Sequence, residues 1–299
     1  MANFLSKERN VFTMDKNNKT NYFIEQNERV TVETYDCYKE QIKNKNAILT
    51  KKILQKTNPA TGPIFIYGIN KGDILKVDVL KIKEKSNGII YTGHEIGVNK
   101  IIRGSEFAFI DEFNDKTIKF KDVNISINKM IGVIGVAPEG DCISTSTSGR
   151  HGGNMDCKKI TENSSLYLPV YHEGALLSIG DVHLAMSDGE VGGTGLEINA
   201  EVEIICSKAN VGMNLQNPIL TNEEGMYFIS SGCTIEKAIE NGIEDLAQFF
   251  KFRTGLSTND LLKLFSLVCE VQINQVVNPQ KSIRLYIPRY ILRQFDIVI

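Results

Sequence analysis

GDVHLAMSDGEVGGTG, residues 180–195, decides how the rest of the chain is read. It gathers Asp181, His183, Asp188 and Glu190, sets glycines around them, and places Val182, Leu184, Ala185 and Met186 in between. Read with the preceding ALLSI, the run ALLSIGDVHLAM is a strand, and side chains two apart on a strand share a face. Asp181 and His183 therefore point together. Carboxylates beside apolar neighbours must be paired, hydrogen-bonded or metal-bound, because burying a lone charge costs several kcal/mol.

Working outward, most of the chain carries the same β signature. VTVETYD (30–36) and ILKVDVLKIK (74–83) alternate apolar with polar residues, as half-buried strands do. GIIYTG, FAFIDEF, TIKFKDVNISI, MIGVIGVAP, SLYLPVY, LEINAEVEIIC and MYFISS read as further strands, separated by Gly, Asn, Asp and Pro at the short intervals of sandwiches and barrels. KNKNAILTKKILQKTN (43–58) reads as a solvated loop. From Thr234 the period changes. Ile235, Ala238, Ile239, Ile243, Leu246 and Phe250 fall on one helical stripe that Gly255 stops, and Ser257 with Asp260 caps a second helix carrying Leu261, Leu264, Phe265 and Val268. EVQINQVV and SIRLYIP around NPQK form a hairpin. The expected fold is mainly β, sandwich- or barrel-like, with a smaller α/β part near the C-terminus, α+β overall. Residues 1–230 form the β region with the site, and 231–299 pack back on it as part of one compact unit.

Composition narrows the function. With 299 residues, 42% hydrophobic and 23% charged, the chain has an ordinary globular make-up. A formal net charge of −2 supplies no basic field for nucleic acid and none for an anionic membrane. The opening MANFLSKERN lacks the apolar core of a signal peptide, and no apolar run nears the roughly 18 residues of a membrane span. The six cysteines are scattered with no C-x-x-C pair, which points to reduced thiols and a cytoplasmic location. No G-x-S-x-G elbow, P-loop or dinucleotide fingerprint is present.

Three clusters carry chemistry. Asp181 and His183 are a metal-ligand pair, an Asp orienting a catalytic His, or a structural Asp–His hydrogen bond. Asp188 and Glu190, around Gly189, either share a cation or proton or form an exposed acidic turn. RHGGNMDCK (150–158) adds His151, Asn154 and Asp156 around a double glycine, either a ligand loop or a tight turn with an Asx hydrogen bond. Mixed imidazole and oxygen donors suit Zn²⁺, Fe²⁺ or Mn²⁺ better than an all-oxygen Ca²⁺ cage. Spacing alone leaves the readings of each cluster open. His94 and His172 stand alone and read as structural.

Taken together, GGNMD followed by SLYLPVYHEGALLSIGDVHLAMSDGEVGGTGLEI resembles the acetamidase/formamidase family of amide hydrolases. VETYDCYKEQI (32–42), NPATGPIFIYGINKGDILKV (58–77), IGVIGVAPEG (131–140) and LFSLVCEVQINQVVNPQKSIRLYIPR (264–289) match family blocks in the same order. The resemblance runs from about residue 30 to 292 and implies hydrolysis of a small aliphatic amide to a carboxylate and ammonia. It also implies a β-rich fold, a divalent metal and a homodimer or higher homo-oligomer. Two positions depart from the family pattern: Ser187 stands where Gly is usual, and Tyr67 where an acidic residue is frequent. Tyr67 is expected to shape the substrate pocket.

The resulting expectation is metal-assisted hydrolysis. Asp156, Asp181 and His183 hold one divalent ion, Zn²⁺ ahead of Fe²⁺, Mn²⁺ or Ca²⁺. Glu190 moves the proton, Asp188 orients Glu190 or adds a ligand, and Asn154 binds the substrate amide. Asp36 is a further carboxylate that the fold could bring in. Two rivals accompany it: a non-catalytic, metal-stabilised binding or structural protein of the same fold, and an enzyme using Cys157 or Cys142 as nucleophile.

Overall fold

The computed structural model describes every residue except 1, 2, 21, 95, 99–103, 112, 115, 214, 298 and 299. The protein is mainly β, and among the described residues the strands gather into a nine-stranded and a ten-stranded sheet and two small pairs. The alternating runs form the nine-stranded sheet: Arg29–Thr34, Ala200–Ala209, Ile74–Glu84 and Ser164–Pro169 lie side by side, and all three of these pairings are antiparallel. Their inward residues, among them Val30, Val32, Val77, Val79, Val202 and Ile204, are buried with Ile131, Ile134, Ile179 and Val182 of the ten-stranded sheet. Burying a Val, Leu or Ile side chain is worth about 1.5–3 kcal/mol, and this shared core joins the two sheets.

The helices lie where the period changes. Ile235–Thr254 is capped by Thr234 and ends at Gly255 in the left-handed conformation, and Thr258–Val268 is capped by Ser257, whose side chain accepts from the Asp260 amide. Their buried residues, including Ala238, Leu246, Phe250, Leu261 and Phe265, form a second core with Ile283, Leu285 and Ile287. The hairpin of Glu270–Gln275 and Lys281–Pro288 adds to the same nine-stranded sheet through Gly225–Gly232. Among the described residues, no helix is long and apolar enough to cross a membrane.

Three runs differ from expectation in detail. TIKFKDVNISI is two strands, Thr117–Phe120 and Val123–Ser126, because Lys121 turns through φ +53° and folds the run into a hairpin. LEINAEVEIIC changes sheets at Asn199, which leaves Leu196–Ile198 in one and Ala200–Ala209 in the other. Asn199 secures the crossing: its side chain accepts from the Asp36 amide at 2.6 Å and donates to Glu40 at 2.7 Å. The 43–58 segment contains one short helix, Lys51–Leu54. Glu112, inside FAFIDEF, lies outside the described residues.

One strand positions the site. Leu177–Ala185 is buried along almost its whole length, with Met130–Gly135 on one edge. On its other edge, Ala60–Ile66 pairs as far as Gly180, and Leu196–Ile198 takes over from Val182. Asp181 sits where one neighbour hands over to the next. The sheet opens there.

Candidate active site

Asp181 meets this opening with φ +55°, and Asp156 and Glu190 also adopt left-handed backbone at +46° each. Such conformations cost of order 1–3 kcal/mol for non-glycine residues and cluster where a site dictates geometry. All three carboxylates are buried, together with His183 and with Glu197 from the Leu196–Ile198 strand. Glu197 is the register partner of His183. His183 Nε2 lies 3.2 Å from Glu197 Oε1 and 3.7 Å from Asp181 Oδ1. Ligand atoms of Asp156, His183 and Glu190 lie within 4.8 Å of one another, as do those of Cys37, Asp181 and Glu197.

Gly132 makes the approach of the carboxylates possible. It faces Asp181 across the strand pair, and a Cβ there would stand 2.6 Å from Asp156 Oδ1 and 2.7 Å from Asp181 Oδ2. No side chain fits. Three asparagines surround the pair. Asn58 donates to Asp181 Oδ2 at 2.9 Å, and Asn278 donates to Asp156 Oδ2 at 3.1 Å. With its amide nitrogen facing the carboxylates, Asn154 donates to Asp156 at 3.1 and 3.2 Å and to Asp181 at 3.1 Å, and accepts from Asn278 at 3.0 Å.

These neutral donors leave the charge unbalanced. Burial, and then Asp181, push the Asp156 carboxyl well above its usual range. Burial and then Asp156 do the same to Glu190, while burial raises Glu197. For His183 burial opposes the proton, but Glu197 and Asp181 outweigh it and the imidazole is pushed up. Asp181 Oδ1, Glu197 Oε2 and both ring nitrogens of His183 are buried without a hydrogen-bond partner. Orphaned buried acceptors beside an imidazole are what a divalent cation satisfies, and the carboxylate–imidazole donor set fits Zn²⁺, Fe²⁺ or Mn²⁺.

Asp181, Glu190 and Glu197 of the cluster line a cavity of about 110 Å³, with Asn58, Asn154 and Asn278 also among its polar lining. Cys37, Tyr38, Leu49, Leu54 and Ile96 supply the less polar walls. One water needs about 10–15 Å³, so the space holds roughly seven to eleven water-sized groups, ample for a small amide.

Of the residues singled out in the sequence, Asp156, Asp181, His183, Glu190 and Asn154 come together here. Asp188 does not. It lies on the far side of the same turn, where its two oxygens accept from Arg284 at 2.9 and 2.8 Å and Lys158 stands 3.1 Å away. Asp36 is occupied in its own turn, accepting from the amides of Tyr38 and Glu40. Cys142 is exposed, Cys157 is buried in the main core, and the cysteine near the carboxylates is Cys37, whose thiol burial pushes up. Tyr67 lies outside the cavity lining, half exposed and stacked on Phe23, so it does not shape this pocket. Glu197, Asn278, Asn58 and Cys37 are the additions. Glu197 carried a signal, a lone carboxylate inside the apolar run LEI. Asn278 had none, since the NPQK turn looks like any hairpin loop.

The acetamidase/formamidase family model matches residues 16–148 and 140–294. A crystal structure described as a predicted acetamidase/formamidase, from Thermoanaerobacter tengcongensis, superposes with a TM-score of 0.94 at 37% identity, over 100% of this chain and 99% of that one. An acetamidase from Bacillus halodurans gives 0.93 at 31% identity, over 98% and 100%. A formamidase from Methylophilus methylotrophus is 32% identical over 97 residues, and the match spans 24% of that protein's length.

Proposed function

Since this chain belongs to the acetamidase/formamidase family, we propose that it hydrolyses a small aliphatic amide of the acetamide or formamide class, releasing a carboxylate and ammonia. The observation that carries this reading is the buried carboxylate–imidazole cluster with orphaned acceptors, three of whose carboxylates line a small cavity. Asp156, Asp181 and His183 would hold one divalent ion, with the Glu197 carboxylate beside His183 Nε2 at 3.2 Å as a further negative group next to it. An ion held there supplies Lewis acidity, which polarises an amide carbonyl and makes water easier to deprotonate.

The chain's own residues do the rest. Glu190 takes the proton of the attacking water and delivers it to the amide nitrogen as the C–N bond breaks. An unactivated amide has a poor leaving group, so this proton transfer is needed. Asn154 and Asn278 line the cavity, held by each other and by Asp156 and Asp181, and Asn154 would form the surface against which the substrate amide lies. A homo-oligomer and a cytoplasmic location belong to the same proposal, the latter supported by free thiols that include exposed Cys142 and Cys233.

The test is ammonia release from formamide, acetamide and propionamide, with and without a chelator, alongside metal analysis of the same sample. The reading expects turnover of at least one amide, lost on chelation and restored by a divalent ion. No release from any of them by folded, metal-loaded protein would overturn it.

A further inference from the structure

Arg284 lies in the middle of the Lys281–Pro288 strand, yet it is 1% exposed. Replacing a buried ion pair by apolar residues is often neutral or stabilising, so such a charge does not explain itself by stability. Its contacts show where it acts. Arg284 Nη1 and Nη2 grip Asp188 Oδ1 and Oδ2 at 2.9 and 2.8 Å, a two-bond fork. Nη1 also donates to Asn274 Oδ1 at 2.7 Å, and Nε to Gln272 Oε1 at 2.7 Å.

The same few residues hold the backbone of the Asp188–Glu190 turn. The Gly189 amide donates to the Asn274 carbonyl at 2.9 Å, and the Val276 amide donates to the Gly189 carbonyl at 3.2 Å. Glu190 follows directly with φ +46°, its amide closing on the Ser187 carbonyl at 3.1 Å. The C-terminal hairpin therefore clamps one end of the turn while the other end points Glu190 into the cavity.

We propose that Arg284 is a positioning residue: through Asp188 and Asn274 it fixes the turn that aims Glu190 at the substrate. This rests on the role given to Glu190 above. It assigns a function to the hairpin, which lies at the edge of the sheet and far from Glu190 in sequence. It also accounts for Asp188, whose charge Arg284 and Lys158 neutralise outside the cluster.

The test uses metal-loaded full-length protein and Arg284→Met, with Arg284→Lys and Asp188→Asn as milder variants should Met not fold. Each is measured for kcat, KM, bound metal and amide hydrogen exchange. Misplacing a catalytic group by about 1 Å costs on the order of 10²-fold. Arg284→Met should therefore lower kcat about 10- to 100-fold at unchanged KM and metal content, with faster exchange confined to residues 187–193. Arg284→Lys keeps the charge but loses the fork, and should recover part of the rate. Unchanged exchange in the turn, or faster exchange spread across the sheet, would overturn the proposal. So would wild-type kcat in Arg284→Met while Glu190→Gln is inactive. If Glu190→Gln itself keeps full activity, the role of Glu190 fails, and the clamp is decided by the exchange pattern alone.

Discussion

Asp188 and Glu190 are separated by one glycine and sit in opposite electrostatic worlds. Asp188 is partly exposed between Arg284 and Lys158, and although burial works against its charge these two cations hold its carboxyl below the usual range. Glu190 is buried with Asp156, Glu197 and Asp181 around a single imidazole, and its carboxyl is pushed far up. The first group has all the counter-charge it needs from the chain. The second lacks it. A network that balances itself fixes structure, whereas one left short of positive charge beside a cavity marks a candidate functional site.

Breaking the unbalanced side should have the largest effect. Asp181→Ala or His183→Ala should abolish both bound metal and turnover, read by metal analysis and ammonia release; variants that keep full metal content would remove these residues from the ligand set. Gly132→Ala should come next. Its Cβ would stand within 2.7 Å of both carboxylates, so we expect kcat to fall on the order of 10²-fold as the site is displaced, with a stability cost of about 1–3 kcal/mol from overpacking. Wild-type kinetics in that variant would mean that the carboxylates can separate without consequence.

Removing the ion tests the charge argument through stability. An ion present at 100 times its Kd contributes about 2.7 kcal/mol, so chelation should lower Tm by about 3–5 °C in a chain of this size. Asp181→Ala, having already lost the ion, should show no such shift. The balanced side gives the smallest effect. Asp188 has a lowered folded-state pKa, so its contribution is full above the unfolded carboxyl pKa of about 3.9 and fades as pH falls through the folded value. Wild type should therefore exceed Asp188→Asn in stability at neutral pH, with the gap closing below about pH 4 in denaturant titrations.

The same contrast explains what the sequence could reveal. Strands such as Ile74–Glu84 were legible because one face is buried and the other is not, and the two helices because their stripes and caps are local. Asp156, Asp181, His183 and Glu190 stood out because charge beside apolar neighbours is conspicuous in any single stretch. Asp188 looked equivalent to Glu190, since its discriminating partner Arg284 lies in a distant hairpin. Asn278 was hidden for the same reason, reaching Asp156 only through the tertiary fold. The change of sheet at Asn199 was invisible too, because the apolar pattern runs through it unbroken.

Whether Glu190 carries the proton is read most directly from Glu190→Gln. Glutamine keeps the size and much of the hydrogen bonding of the carboxylate but does not accept a proton at neutral pH. With bound metal measured in the same sample, we predict kcat falling about 10²–10⁴-fold, the usual contribution of general acid–base help, while the ion stays in place. Near wild-type kcat with intact metal would contradict the account.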